Sequence, residues 1–93
     1  MLHEDKIAEG RSELKKVLAA EPENANANYE YGKAELTAGH LDSAIEHLEK
    51  AAKGSPEKSY IHYQLGRAYQ QAGQPSNAER EFAKVKTLRG MPQ

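Results

Sequence analysis

Residues 29–39, YEYGKAELTAG, and residues 63–73, YQLGRAYQQAG, repeat one pattern of small and large residues. Aligning residues 25–58 with residues 59–92 gives seven identities, most of them between small residues: Tyr29/Tyr63, Gly32/Gly66, Ala34/Ala68, Ala38/Ala72, Gly39/Gly73, Ala44/Ala78 and Lys50/Lys84. Self-similarity at a fixed period of roughly 20–50 residues is typical of proteins built from stacked repeats. We therefore interpret the chain as a repeat protein.

Turn and capping residues divide the sequence into five predicted helices. Gly39 and Gly73 stand where a helix ends in a left-handed residue, and Asp42 can cap the helix that follows Gly39. Ser76 and Glu79 have the spacing of a capping box. These signals predict helices over about residues 5–20, 24–38, 41–53, 58–72 and 75–89. Because the connections are short, we expect the helices to pack antiparallel in an all-α fold.

The segment before the two repeats has the pattern of a second half-repeat. The backward shift places Ile7 under Leu41 and Leu14 under Leu48. The apolar residues of this segment lie on one face of an amphipathic helix: Ile7, Gly10, Leu14, Val17 and Leu18. We therefore expect this helix to lack the partner helix of a complete repeat.

With Gly32 and Gly66 aligned on the family's glycine, the sequence resembles tetratricopeptide repeats. Further positions that match the family pattern are Leu65, Tyr69, Ala44, Ala78, Leu48, Phe82, Ala51 and Pro56. The resemblance implies one domain over residues 1–93, with a partial repeat at 5–22 and whole repeats at 25–58 and 59–92. It also implies antiparallel helix-turn-helix units that stack as a short right-handed α-solenoid.

Several positions depart from the family pattern. The family's tryptophan position holds Asn28 in the first copy and His62 in the second. The first copy also has Glu35 where the second has Tyr69. We expect these departures to weaken packing, above all in the first helix of the first copy.

The resemblance implies that the first helix of each repeat lines a concave, ligand-binding groove. The candidate ligand-binding residues are Asn26, Tyr29, Lys33, Leu36, Tyr60, Tyr63, Arg67 and Gln70. Tyrosine and arginine give much of the binding energy at interfaces, and the two cations could bind an extended segment that has a carboxylate or acidic side chains. In the alternative interpretation, the tyrosines pack between neighbouring first helices and the cations are merely solvated.

One well-known use of such a groove does not fit this sequence. A subset of the family grips the C-terminal carboxylate of chaperones with an asparagine and basic residues. Lys33 and Arg67 stand where that clamp tends to have asparagine, with Glu30 and Gln64 at the neighbouring positions. We therefore do not predict a receptor for chaperone tails.

Composition and motifs argue against most other functions. Thirteen Lys and Arg residues against fourteen Asp and Glu give a net charge of -1, which does not favour nucleic acid. No apolar run reaches the ~18 residues of a membrane span. The chain has no cysteine, no glycine-rich phosphate loop and no nucleophile elbow, so we predict no cofactor and no enzyme activity.

The four histidines do not predict a metal site. His40 and His47 are seven residues apart, which is not the spacing of a metal-binding pair on a helix, and we interpret all four histidines, including His3 and His62, as surface or packing residues.

The sequence thus predicts a protein-interaction scaffold that binds a peptide or protein segment in its concave groove. An alternative is a self-association module, because the first helix lacks a partner and Phe82, Val85 and Leu88 of the last helix have no following repeat to cover them. Another alternative is an accessory fragment of a larger enzyme or of a secretion-related protein. The charged start of the chain, without a signal or membrane segment, favours the cytoplasm.

Overall fold

Five helices account for all regular structure in residues 2–90, the part of the backbone that the computed structural model describes. They are α1 (Leu2–Ala20), α2 (Ala25–Thr37), α3 (Leu41–Gly54), α4 (Ser59–Gln71) and α5 (Pro75–Arg89). The all-α prediction is confirmed. Side chains are described for residues 9–90, so His3, the Ile7 side chain and the last two residues of the predicted repeat 59–92 lie outside the described part.

The helices form two antiparallel hairpins, α2 with α3 and α4 with α5, and α4 also packs against α3. Helix α1 packs against α2, and α2 approaches α4. The result is an elongated α-solenoid of 39 × 27 × 21 Å. Because each helix contacts only its neighbours in the stack, the first helices α2 and α4 come to lie side by side.

Two glycines end the first helix of each hairpin in the same way. Gly39 and Gly73 have φ angles of 83° and 75°, in the left-handed region that favours glycine. The residue after each glycine donates its backbone N–H back into the helix, from His40 to Glu35 O and from Gln74 to Tyr69 O, both at 2.9 Å. These turns confirm the glycine signal in the sequence.

The predicted side-chain caps of the second helices are wrong. Helix α3 begins after His40, which makes no side-chain capping bond, and Asp42 lies in the first turn. An acidic residue there is still favourable, since it faces the positive end of the helix dipole. Helix α5 begins at Pro75, as predicted, so Ser76 lies inside the helix and Gln74, which makes no side-chain capping bond, is at the capping position.

The core lies where the two hairpins meet. It contains residues of α2, α3 and α4: Tyr29, Leu36, Ala44, Leu48, Ala51, Ile61, Leu65 and Ala68. Glycines allow the helices of each hairpin to approach closely. A Cβ atom at Gly32 would lie 2.8 Å from Leu48 Cγ, and one at Gly66 would lie 2.6 Å from Phe82 Cε1. Both glycines therefore lie where the two helices of a hairpin cross closely.

The two ends of the stack differ in how well they are covered. Val85 of α5 is buried and Leu88 is half-buried, so the expectation that they form an uncovered apolar end is wrong for Val85. The outer positions of α5 hold the exposed residues Glu79 and Lys86, where α3 has the half-buried Ile45 and Ala52. At the other end, Val17 of α1 is 38% exposed.

Candidate functional site

A polar cavity of about 430 Å³ lies between the first helices α2 and α4. We call it the α2–α4 groove; it is lined by Lys33, Leu36, Thr37, Gln64, Arg67 and Gln71. It therefore brings together two cations and three neutral polar side chains. Three of the eight residues predicted from the sequence, Lys33, Leu36 and Arg67, line this cavity.

Tyr29 packs between the neighbouring first helices. Its ring meets that of Tyr60 edge to face, with 4.9 Å between centroids and an interplanar angle of 73°. Tyr29 is 8% exposed, whereas Tyr60 is 42% exposed. Burial raises the pKa of Tyr29, and the nearby Glu30 carboxylate adds to the shift, so the hydroxyl stays neutral. Tyr29 thus packs in the interface between α2 and α4, and Tyr60 is the exposed member of the pair.

The two cations of the groove differ in their surroundings. Lys33 Nζ lies 5.3 Å from the centroid of the Tyr29 ring and 3.7 Å from Glu30 Oε2. The Lys33–Glu30 pair is about half exposed on both sides, and exposed pairs of this kind contribute little to stability. Arg67 is exposed and makes no ion pair with any carboxylate among residues 9–90. Both cations are therefore able to meet an anionic group in the groove.

Gln64 is a groove residue that the sequence did not identify as a ligand-binding candidate. Its side-chain Oε1 is buried and has no hydrogen-bond partner among the described residues, while the Gln64 amide lies within hydrogen-bonding reach of the Tyr29 hydroxyl. A buried acceptor without a partner costs free energy, but this oxygen is not exposed to the groove. The signal in the sequence was weak, because the equivalent residue of the first copy is Glu30 and no identity marks the position.

The remaining predicted site residues lie outside the cavity or in the core. Asn26 and Gln70 are exposed on the first helices but do not line the groove. Leu36 is 6% exposed and belongs mainly to the core. Tyr63 is 42% exposed, and its ring packs against that of Phe82 with 6.1 Å between ring centroids. The eight predicted ligand-binding residues therefore divide into a buried group and an exposed group.

Two histidines link the helices of the hairpins. His62 is 4% exposed, and its Nδ1 lies 2.8 Å from Glu81 Oε1. His47 Nδ1 lies 2.8 Å from Asn28 Oδ1. Among the residues whose side chains are described, no three His, Cys, Asp or Glu residues come together as a metal site would require. No helix within residues 2–90 is long and apolar enough to span a membrane.

Comparisons with known proteins agree with this architecture. Two family models described as "Tetratricopeptide repeat" match the chain, one over residues 35–87 and the other over residues 4–59. Among solved structures, MamA AMB-1 superimposes with a TM-score of 0.86 at 27% identity and covers 97% of this chain. MamA RS-1, as a double mutant, gives a TM-score of 0.85 at 30% identity over 95% of this chain. The chain spans about half of these structures, 50% and 49% of their lengths. No curated protein sequence matches it.

Proposed function

The chain belongs to the tetratricopeptide repeat family and is a protein–protein interaction scaffold, and we propose that its α2–α4 groove binds an extended, acidic peptide segment. The observation on which this proposal rests is that Lys33 and Arg67 line one cavity between the first helices. Charge-assisted hydrogen bonds from such cations to a carboxylate are roughly twice as strong as bonds between neutral groups. An acidic side chain or a C-terminal carboxylate is therefore the group that best fits the groove.

Neutral groups of the groove support an extended ligand backbone. Gln64 lines the groove, and a side-chain amide can both donate to and accept from a peptide backbone. Thr37 donates its hydroxyl to Lys33 O at 3.2 Å and keeps lone pairs free for a further bond. A ligand whose backbone is not already paired in a helix can satisfy these groups.

The exposed tyrosines supply apolar contact area beside the charges. Tyr60 and Tyr63 lie on α4 and are each 42% exposed. Aromatic rings that lose little conformational freedom are common binding residues at protein interfaces. We infer that the ligand places apolar side chains against these rings while its acidic groups meet Lys33 and Arg67.

A charge-reversal experiment tests the proposal. The probe is a fluorescein-labelled ten-residue peptide of alternating glutamate and tyrosine, with glutamine in place of glutamate in the control peptide. Binding is measured by fluorescence anisotropy at low ionic strength, because surface charges are screened by salt. We expect the acidic peptide to bind the full chain and the glutamine peptide to bind at least about tenfold more weakly.

Two variants of equal charge locate the binding site. Arg67→Glu reverses the exposed cation of the groove, whereas Arg89→Glu reverses an exposed cation at the end of α5. We expect Arg67→Glu to weaken binding at least about tenfold and Arg89→Glu to have little effect. Equal loss in both variants would show only non-specific attraction, and no binding to the unmodified chain would also overturn the proposal. Tyr63→Ala should weaken binding without changing its dependence on salt.

A further inference from the structure

Lys33 and Arg67 occupy equivalent positions of the two repeats, but their neighbours on the helix differ. The residue three positions before Lys33 is Glu30, whereas the residue three positions before Arg67 is Gln64. Residues three apart lie on the same face of a helix, so each of these side chains is next to the cation that follows it. A carboxylate therefore accompanies one cation of the α2–α4 groove, and a neutral amide accompanies the other.

The ammonium group of Lys33 has both of its attractive partners on its own helix. Glu30 Oε2 lies 3.7 Å from Lys33 Nζ, and the centroid of the Tyr29 ring lies 5.3 Å from the same atom. A carboxylate and the face of an aromatic ring both attract a cation. Glu30 does not itself line the groove, yet it balances the charge of a lysine that does.

Arg67 has a different setting on α4. It is exposed, and no carboxylate within residues 9–90 forms an ion pair with it. Its groove neighbours on the same helix are the neutral residues Gln64 and Gln71. The α2 wall of the groove thus contributes a cation that is already balanced, while the α4 wall contributes an unbalanced positive charge.

We infer that Glu30 competes with the ligand for Lys33 and so makes Arg67 the principal anion-binding residue of the α2–α4 groove; this inference rests on the proposed function. A ligand carboxylate at Lys33 has to displace the Glu30 carboxylate or share the cation with it, and two like charges at one cation repel each other. A ligand carboxylate at Arg67 meets no such competitor among residues 9–90.

The inference narrows the class of ligand. The groove favours a segment that places one acidic group opposite Arg67 and a neutral hydrogen-bonding residue opposite Lys33, rather than an evenly acidic segment. Thr37, which lines the groove beside Lys33, is a neutral partner for such a residue. A second acidic group adds little to the affinity for the native chain, because its attraction to Lys33 is offset by repulsion from Glu30.

Two peptides that differ by one carboxylate test the inference. Both alternate glutamine and tyrosine over ten residues, with a fluorescein label at the start and an amide at the end. One has a single glutamate, in place of the fifth residue, and the other has glutamates in place of the fifth and the seventh. Residues two apart in an extended chain lie on the same side, about 7 Å from each other, and packed helices are about 8–10 Å apart, so the second peptide can reach both cations.

Fluorescence anisotropy at low ionic strength gives the ratio of the two peptides' affinities for each variant of the full chain. We expect the two-glutamate peptide to bind the native chain no more than about twofold more tightly, which is the statistical advantage of a second carboxylate. Glu30→Gln gives the first repeat the arrangement that the second repeat has around Arg67. In this variant the ratio should rise to about fivefold, because Lys33 becomes free for the second carboxylate.

Two further variants show whether the effect passes through Lys33. Glu13→Gln is the matched control, because Glu13 forms an i,i+3 pair with Lys16 on α1, at 3.5 Å and with both side chains exposed. It removes the same charge from the same kind of pair outside the groove and should leave the ratio at about twofold. The double variant Glu30→Gln with Lys33→Gln should also return the ratio to about twofold, since it removes the second cation. Circular dichroism confirms that each variant is folded.

The outcomes separate this inference from the proposed function. Binding of the one-glutamate peptide that is lost in Arg67→Glu supports the proposed function independently of Glu30. A ratio that Glu30→Gln leaves unchanged, or that rises equally in Glu13→Gln, would overturn the inference alone. A ratio that stays high in the double variant would have the same consequence, and so would a native chain that already prefers the two-glutamate peptide as strongly as Glu30→Gln does. Failure of both peptides to bind the native chain would overturn the inference together with the proposed function.

Discussion

His62 on α4 and Glu81 on α5 are joined by a contact of 2.8 Å between Nδ1 and Oε1, which connects the two helices of the second hairpin. The equivalent residues of the first hairpin, Asn28 and His47, make a contact of the same length. In each case the α2 or α4 residue also donates to a proline carbonyl, from Asn28 Nδ2 to Pro22 O at 3.0 Å and from His62 Nε2 to Pro56 O at 2.8 Å. We call each arrangement a polar bridge. In each polar bridge, the residue of the first helix, Asn28 or His62, occupies the position where the family pattern has tryptophan.

Exchanging the residues of one polar bridge should show that the pair acts as a unit. His62→Asn and Glu81→His each leave a buried polar atom without its partner, which costs about 1–3 kcal/mol. The double variant recreates the Asn28–His47 pair in the second hairpin. We expect it to recover most of the free energy of unfolding that either single variant loses. Urea denaturation of the native chain, the two single variants and the double variant gives the four free energies of unfolding that the double-mutant cycle needs.

Additive losses in that cycle would contradict a coupled pair. Glu79→His is the matched control, since it makes the same change of residue at an exposed position of α5. It should alter the free energy of unfolding by no more than about 0.5 kcal/mol.

The pH dependence of stability should include a contribution from His47. Burial lowers the pKa of His47 below its ordinary value of 6.5, and the positive charge of Lys50 adds to this effect against the opposing charge of Glu46. The folded state therefore holds fewer protons than the unfolded state just below this value. The stabilising contribution is complete above pH 6.5 and is lost as the pH falls towards the lower pKa of the folded state.

Comparison with His47→Gln isolates this contribution from those of the other histidines. Free energies of unfolding are measured between pH 8 and pH 5. The native chain should lose more stability over this interval than His47→Gln. Identical slopes would show that His47 titrates alike in the folded and unfolded states.

Alanine substitutions at glycines should have opposite effects in α1 and α2. Gly32→Ala places a Cβ atom 2.8 Å from Leu48 Cγ and 3.1 Å from the Leu48 backbone nitrogen, which forces the hairpin apart. We expect a loss of about 1–3 kcal/mol. Gly10→Ala meets no atom within 4 Å and should stabilise α1 by about 0.5–1 kcal/mol through helix propensity. Thermal denaturation of both variants tests the contrast, and destabilisation by Gly10→Ala would show that α1 is packed more closely.

The sequence predicted the features of the fold that depend on a single residue type. Gly39 and Gly73 are required by a left-handed turn, and Gly32 and Gly66 by a close crossing, so each leaves an identity at the same period. The polar bridges left no such identity. Histidine lies on α4 in one bridge and on α3 in the other, and the shift pairs Asn28 with His62 and His47 with Glu81. Only the contacts in the structure show that these unlike residues connect the two helices of a hairpin in the same way.

The sequence predicted only part of the candidate site, because equivalent positions in the two repeats differ in exposure. Periodicity placed Tyr29 and Tyr63 on equivalent positions of the first helices, yet Tyr29 is 8% exposed and Tyr63 is 42% exposed. The ring of Tyr60 covers Tyr29, whereas no further first helix follows α4 within residues 2–90 to cover Tyr63. Exposure in a solenoid depends on the neighbouring repeat, which the pattern of one helix does not contain.

Arg11 of α1 and Glu35 of α2 form a charged contact between the first helix and the rest of the stack. Arg11 Nη2 lies 2.5 Å from Glu35 Oε1, and His40 Nδ1 lies 3.2 Å from Glu35 Oε2. Glu35 is 4% exposed and is the equivalent of Tyr69, while Arg11 is the equivalent of Ile45. An ion pair thus replaces the apolar residues that join α3 to α4.

Acid should weaken the attachment of α1 through this pair. Burial opposes ionisation of Glu35, but bonds from Ser43 and His40 and the charge of Arg11 outweigh it, so that the pKa of Glu35 falls below 4.5. The stabilisation is present above pH 4.5 and is lost as the pH falls through the lower pKa of the folded state. Protection factors for amide hydrogen exchange within residues 9–20, which are corrected for the change of the intrinsic rate with pH, should therefore fall below pH 4.5 before those of α3 and α4 do.

Arg11→Met should release α1 at neutral pH, because it leaves the Glu35 carboxylate buried without its cation. We expect a loss of about 1–3 kcal/mol, with faster hydrogen exchange concentrated in α1. The double variant Arg11→Met with Glu35→Leu gives α1 and α2 the kind of apolar contact that joins α3 to α4. It should restore protection of α1 and remove the acid dependence, since buried ion pairs can often be replaced by well-packed apolar residues. A double variant as poorly protected as Arg11→Met would show that α1 is held by the geometry of the ion pair itself, and an Arg11→Met chain with unchanged exchange would show that the pair contributes nothing.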